Sequence, residues 1–567
     1  MTAHVRPLPV DAVALADTWF ATLGTSFRGR LPPGDPLVPE GAAAWVVSTL
    51  GRELVVVVDA AFPYSAPKVH LRGERRAMPH VEGRGRLCLR NPAVPSDPQA
   101  AVAAALREAR SLLRAITAGS EDRDFEEDFG VYWAHAADGG YRASLLLRDM
   151  DASRPIAWTA AGSAVYGFDT PGALRKWWSH RFGTDKTKVR QGALVILDEL
   201  PHPDVYPSTG SELWELVASR STGGTKLLED LLGQMPKWLL VVLAGTAPSD
   251  RRHAVGLMLA RLPEAGGRPV NHWLIERGYA RFSMPAEVHC SRMRVTRLAT
   301  DALDASTTRL PYDEHDRLAA ARVAVVGCGA LGSGVARLLA KSGIGHIVLV
   351  DPETLGWENI RRHRLGAEYV GMPKATALGR TLARENPDIG SVRALDVAIE
   401  GVLARDPGAL AGVDLALACT ANWSANCALD QFVTQAGGIP VLYAWMEAHA
   451  LAAHAVLIMP GHSYRAGYDE AGNPGITASI SHKPIPAECG ASASPFGAVE
   501  LAQAEMLLAR LAIDFLRGRS AETTWWSWLT DAAALADAGG RWTDDWVAAR
   551  GIPGPFGQMQ VGPWAEP

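Results

Sequence analysis

At 567 residues the chain exceeds what one hydrophobic core organises, and division by a typical domain size gives three or four domains, of which three are expected. With 48% hydrophobic and 21% charged residues it has the composition of an ordinary globular protein, and a formal charge of -5 provides no basic footprint for nucleic acid or anionic lipid. No apolar run reaches the roughly 18 residues of a membrane span, the segment from Met1 to Arg6 lacks a secretory pattern, and six cysteines without a C-x-x-C pair point to reduced thiols, so a cytoplasmic protein is expected.

From the N-terminus, residues 1–145 predict a small α+β unit. A helix is expected around Val10 to Gly24, strands over Ala43 to Leu50 and Glu53 to Ala60, a proline-punctuated extended piece from Ala61 to Leu71, and a helix from about Pro98 to Gly119. Cys88 lies between the extended piece and that helix. Flanked by Leu87 and Leu89 it fits a buried small hydrophobe, whereas Arg84, Arg86 and Arg90 offer positive potential that would lower its pKa and make it a nucleophile.

Residues 146–300 mix apparent strands, Ala193 to Leu197 and Trp238 to Leu243, with helical stretches near Gly172 to Phe182 and Arg251 to Leu262. Without clustered polar groups this segment reads as an α/β linker that orients its neighbours.

Residues 301–567 hold the densest chemistry. Arg322 to Ser333, closed by His346 to Asp351, reads as strand, glycine turn, helix, strand and acid. Gly327, Gly329 and Gly332 keep the G-x-G-x-x-G spacing that brings backbone N–H groups to phosphates at a helix N-terminus, and Asp351 ends the second strand, where a carboxylate accepts ribose hydroxyls. By itself this pattern also suits NAD or FAD enzymes. Downstream, Asn359 and Arg362 share one short loop and Lys374 opens a predicted helix, so the three are expected to converge on one mouth. A cation pair there suits in-line attack on a triphosphate, in which negative charge builds on the phosphoryl oxygens.

Cys489 sits in a loop rich in Pro, Gly and Ser between His482 and Phe496, ahead of a helix from about Ala498 to Arg517. A mobile loop suits a nucleophile that collects a group in one place and presents it in another, and Lys483 with the helix N-terminus adds positive charge. Trp525, Trp526 and Trp528 are expected in the core of an accessory C-terminal segment, and Cys290, Cys328, Cys419 and Cys427 as structural residues.

Taken together, the glycine turn, Asp351, the Asn359 to Arg362 step and Gly371 to Lys374 resemble the ThiF/MoeB adenylating superfamily, which includes the ubiquitin-activating enzymes, over roughly Arg309 to Gly518. That family's third block ends in Thr-Asp-Asn, its Asp helping to hold magnesium; here Thr420, Ala421 and Asn422 put alanine in that place. Arg309 is the candidate for the family's arginine that reaches ATP phosphates across a dimer, with Arg317 and Arg322 as alternatives. In the first segment, Phe62 to Pro67 and the turn Met78-Pro79-His80, eight residues before Cys88, resemble the ubiquitin-conjugating fold. His80 replaces an asparagine that in that family stabilises an oxyanion; an imidazole can donate a similar hydrogen bond or act as a general base.

The whole chain is similar to the fusion enzymes of CBASS antiphage operons. The resemblance implies an α/β multidomain protein with an N-terminal ubiquitin-conjugating-like domain (1–145), a linker domain (146–300) and a Rossmann-like adenylation domain (301–567). It implies ATP and Mg2+ as cofactors, a homodimer, thioesters on Cys489 and then Cys88, a target lysine and a deconjugating peptidase. The cargo would be the C-terminus of a cGAS-like nucleotidyltransferase or a bacterial ubiquitin-like protein. A nucleotide-dependent oxidoreductase and a catalytically silent ATP-binding scaffold are the alternatives.

Overall fold

The computed structural model describes residues 10–73, 77–82, 85–89, 97–121, 123–261, 285–303, 312–434, 438–469, 474–481, 496–555 and 557–564. The chain divides into two compact units, Met1–Leu174 with Lys188–Ala302 and Arg175–Thr187 with Leu303–Pro567.

In the first unit, β1 (Phe27–Arg30), β2 (Ala43–Thr49), β3 (Arg52–Val58) and β4 (Lys68–Arg72) pair antiparallel in sequence order. The β2–β3 connection is the two-residue turn Leu50-Gly51, both left-handed (φ 52° and 72°), the geometry that matches strand twist in a tight hairpin. Alternate residues of these strands, among them Trp45, Val47, Leu54 and Val56, bury one face against helices α1 (Val10–Ala21) and α2 (Pro98–Thr117). Pro98 at the first turn and Asp97, whose carboxylate accepts from Ala100 N–H, start α2.

The rest of this unit is an eight-stranded sheet of β5 (Arg142–Leu146), β6 (Arg154–Ala161), β7 (Ala164–Phe168), β8 (Arg190–Ile196), β9 (Trp238–Thr246), β10 (Arg252–Arg261), β11 (Met293–Arg297) and β12 (Ala299–Ala302). Their order is β11-β10-β9-β8-β6-β7-β5-β12. The helix expected over Arg251 to Leu262 is instead β10, antiparallel to both β9 and β11. Its Ala, Leu and Met content favours a helix in isolation, but its residues alternate between two cores: Val255, Leu257 and Leu259 face one, Met258 the other. A strand covered on both sides loses the polar alternation that identifies it, and pairing overrides propensity. Helices α3 (Asp124–Glu127) and α4 (Phe129–His135) follow α2; Phe129 and Trp133 of α4 are fully buried in the core shared by Leu257 and Leu259.

The second unit carries β13 (Arg322–Val326), β14 (His346–Val350), β15 (Ser391–Leu395), β16 (Leu415–Ala418), β17 (Val441–Met446), β18 (Ala452–Ile458), β20 (Thr524–Leu529) and β22 (Gln558–Pro563) in the order β15-β14-β13-β16-β17-β18-β20-β22. Pairing is parallel from β15 to β17 and antiparallel beyond. A separate pair is formed by β19 (Ser479–Ser481) and β21 (Gly540–Trp542). Helices α5 (Ala330–Lys341), α6 (Lys374–Glu385) and α7 (Ala498–Leu516) complete what the site needs. The C-terminal tryptophans belong to the sheet itself, with Trp525 buried and Trp526 and Trp528 half-buried. Among the described residues, no helix is long and apolar enough to cross a membrane.

Candidate functional site

Strand β13 has β14 on one side and β16 on the other, so the chain leaves its C-terminal end at the point where strand order reverses, the usual place for a ligand in such sheets. Each glycine of the turn has its own reason there. Gly327 takes φ 87°, and a Cβ would lie 2.7 Å from the Cys419 carbonyl; a Cβ on Gly332 would lie 1.8 Å from Gly327 O, so the helix could not approach the strand. At Gly329, which precedes α5, an added Cβ meets nothing within 4 Å, and no side chain caps the helix there. Backbone N–H groups at an uncapped helix start of this kind suit an anion.

Asp351 holds this turn. Its carboxylate accepts from Cys328 N–H at 2.6 Å and from Glu353 N–H at 2.8 Å, and burial pushes its pKa up against the pull of those bonds and of Lys374. His363, unassigned from sequence although it lies in the Asn359 loop, locks the turn from the other side. Its Nδ1 accepts from Leu365 N–H at 3.0 Å, so Nε2 carries the proton and donates to Cys328 O at 2.6 Å. Burial lowers its pKa to about 4, keeping the ring neutral.

Lys374 begins α6, is 5% exposed, pairs with Glu353, and acts electrostatically on Asp351, Cys328 and His363. Asn359 closes its own loop by accepting from Gly356 N–H at 3.0 Å. The structure thus brings Lys374, Asp351 and the glycine turn together, while the Arg362 guanidinium lies over Phe496, 4.7 Å from the ring centre. Arg309 and Cys489 lie outside the described residues. Ala421, after β16, is left-handed at φ 49°, as are His449 and Ala450 after β17. Left-handed non-glycine residues cost about 1 kcal/mol or more each and gather where function requires them.

The residues at this edge do not fit a magnesium ion. Asp351 engages both oxygens with backbone N–H groups, Glu353 pairs with Lys374, and Ala421 has no side-chain oxygen. Among the described residues, the one group able to hold a metal is His80, Glu121 and Asp124 in the first unit.

Cys88 occupies a hairpin fastened to β4. Leu87 N–H donates to Val69 O at 2.8 Å, Val81 pairs with Leu87, and Cys88 N–H donates to His80 O at 2.8 Å. Leu87 is buried and Cys88 is exposed, the only exposed free cysteine among the described residues, so a buried small hydrophobe does not describe it. Gly85 lets the hairpin close: its φ is 75°, and a Cβ would stand 2.1 Å from Leu71 O. Gly85→Ala is therefore expected to destabilise this unit by about 2 kcal/mol or more, read as a lower urea midpoint.

His80 is also left-handed, at φ 57°, and its N–H donates to the Tyr132 hydroxyl at 2.7 Å. Its Nε2 contacts Asp124 and lies 3.2 Å from Glu121. Neither acid was legible as a partner, being more than forty residues away. The thiol departs from expectation. The pKa of Cys88 is pushed up to about 11, first by partial withdrawal of the thiol from water, then by its hydrogen bond to Glu82 and that residue's charge, with Asp128 adding and Arg86 only opposing. Arg84 and Arg90 lie outside the described residues. The cationic lowering expected for Cys88 is not what the thiol experiences: withdrawal from water and then the contact with Glu82 outweigh Arg86.

Residues 303–490 match the ThiF family and residues 40–140 match Prokaryotic E2 family B. Over 165 residues, 27% of this chain and 38% of the relative, the chain is 31% identical to ubiquitin-like modifier-activating enzyme 5 of Oryza sativa subsp. japonica. It is 28% identical to the enzyme of that name from Arabidopsis thaliana over 203 residues, 30% of this chain and 44% of the relative. The chain thus spans about two-fifths of the length of these curated relatives. The solved structure of E. coli MccB with ATP is 22% identical, with a TM-score of 0.31 over 45% of this chain and 66% of that one. One polypeptide therefore joins an N-terminal domain of E2 type to a C-terminal Rossmann-like domain of ThiF type.

Proposed function

We propose that this protein uses ATP to activate the C-terminal carboxylate of a protein cargo and conjugates it to an amine through two cysteines. The observation that carries this reading is the pairing, in one chain, of a phosphate-type turn beside a buried lysine with an exposed cysteine held in a fastened hairpin. A carboxylate is a poor electrophile. ATP supplies the leaving group: the cargo oxygen attacks the α-phosphate, pyrophosphate departs, and an acyl-adenylate results. Sulfur of Cys489 then displaces AMP, Cys88 takes the acyl group, and a target lysine attacks it. In this scheme the turn from Gly327 to Gly332, the start of α5 and Lys374 hold the phosphates, Asp351 and His363 keep the turn in shape, and Arg309 reaches the phosphates from a second copy in a homodimer. Magnesium, for which the described residues around the glycine turn build no site, would arrive on the nucleotide's own phosphates.

By resemblance, the cargo is the C-terminus of a cGAS-like nucleotidyltransferase in antiphage defence, with a peptidase reversing the bond; a bacterial ubiquitin-like protein is the other cargo. ATP–pyrophosphate exchange, measured with each protein encoded beside this one, tests the reading: exchange should require a cargo with an intact C-terminus. A silent scaffold draws on Ala421 and predicts nucleotide binding without exchange. Ala421→Asp tests that position directly, because an acid tolerates the left-handed backbone and restores a carboxylate. It should raise exchange at limiting magnesium by at least about tenfold, and no gain would show that the carboxylate is dispensable here.

A further inference from the structure

Cys88 and its nearest acid form a pair that the relay above does not yet use. Both are set by main-chain contacts. Glu82 N–H donates to Arg86 O at 2.7 Å, Gly85 N–H donates to Glu82 O at 3.0 Å, and Cys88 N–H donates to His80 O at 2.8 Å. In that frame the Cys88 thiol donates to Glu82 Oε1 at 3.0 Å, while Arg86 stands 3.8 Å from the other carboxylate oxygen. His80, the other base in the hairpin, has Nε2 engaged by Asp124 and Glu121. The carboxylate is what the sulfur meets.

Resting on the reading of Cys88 as an acyl carrier, we propose that Glu82 is the proton acceptor for Cys88 during transthioesterification. As the Cys88 sulfur attacks the carbonyl of the incoming thioester, its proton moves to Glu82 Oε1. When the tetrahedral intermediate collapses, the donor's carbon–sulfur bond breaks and Glu82 passes that proton to the departing sulfur. One carbon–sulfur bond forms and one breaks, and no outside co-reactant is needed.

The step needs such a group because the hairpin does not prepare a thiolate. The thiol is the donor in its hydrogen bond to Glu82, and burial with the charges of Glu82 and Asp128 holds its pKa up to about 11 against Arg86, so the sulfur must lose its proton as it attacks. This arrangement also limits stray reactions, since an electrophile that brings no means of proton transfer meets a protonated thiol.

The test uses the full chain and a peptide thioester of 2-mercaptoethanesulfonate as donor, which bypasses adenylation, and follows the DTT-labile adduct on Cys88. The native chain should charge with little dependence on pH from 7 to 9. Glu82→Gln should charge about 10²-fold more slowly at pH 7 and regain about tenfold per pH unit, because it must await the thiolate. Iodoacetamide, which needs only the thiolate, should alkylate Cys88 faster in Glu82→Gln than in the native chain, since the neighbouring negative charge is gone. Formate should restore charging to Glu82→Ala. Equal charging rates and equal pH slopes overturn the assignment, as do charging and alkylation slowed together, which mark a distorted hairpin. A native chain that alkylates but never forms the thioester overturns instead the reading of Cys88 as a carrier.

Discussion

Incubated with ATP and cargo, the Cys489→Ala chain should form no DTT-labile adduct on Cys88, whereas the Cys88→Ala chain should keep its adduct on Cys489. Non-reducing electrophoresis separates the two, and ATP–pyrophosphate exchange should persist in both, because adenylation precedes either sulfur. The physical ground is the electrophile each cysteine needs. An acyl-adenylate forms where the phosphates are bound, at the Gly327 turn, and the cysteine expected to collect it follows in the same segment of chain. Cys88 belongs to another fold, and its resting thiol, pushed up to about 11, is poorly suited to attack any electrophile that does not come docked against Glu82. Conjugation should therefore fall by at least about 10³-fold in either variant. If Cys88 still charges in the absence of Cys489, the order of the relay is wrong.

Lys374→Met should lower ATP–pyrophosphate exchange about 10²- to 10³-fold, the cost of removing one preorganised charge from a site where negative charge develops. Lys374 is preorganised in a way surface lysines are not. Its N–H donates to Glu353 O at 2.9 Å at the start of α6, its side chain is 6% exposed, and it already bears on Asp351 and His363. Its partner Glu353 is 67% exposed at the side chain, so water solvates that carboxylate when the ammonium turns to a phosphate or is removed. Methionine keeps the length of the stem, and thermal unfolding should barely move. Exchange within about threefold of the native chain would take Lys374 out of the phosphate site.

Asp351 and Lys374 were picked out by their places at a strand end and a helix start further along the chain, whereas the glycine turn was legible because its spacing is local, a strand, a tight turn and a helix start within a few residues. The same holds for the eight-residue step from His80 to Cys88, which the hairpin and the Cys88 N–H bond to His80 O account for. Strand β10 was misread because its apolar residues serve two cores, so neither periodicity is visible in a single window. The acidity of Cys88 was misread because three nearby arginines were counted, whereas the thiol's partial withdrawal from water and its contact with Glu82, six residues earlier, were not visible in the sequence.

Residues close in the chain, then, were enough to pick out a glycine turn, a lysine at a helix start and two candidate cysteines. The tertiary structure alone decided what each group experiences. It placed Asp124 and Glu121 on His80, closed His363 onto Cys328 O, and set Glu82 against the Cys88 thiol. The reason is that protonation and hydrogen bonding depend on distance and loss of water, which a fold creates between residues that a sequence keeps apart.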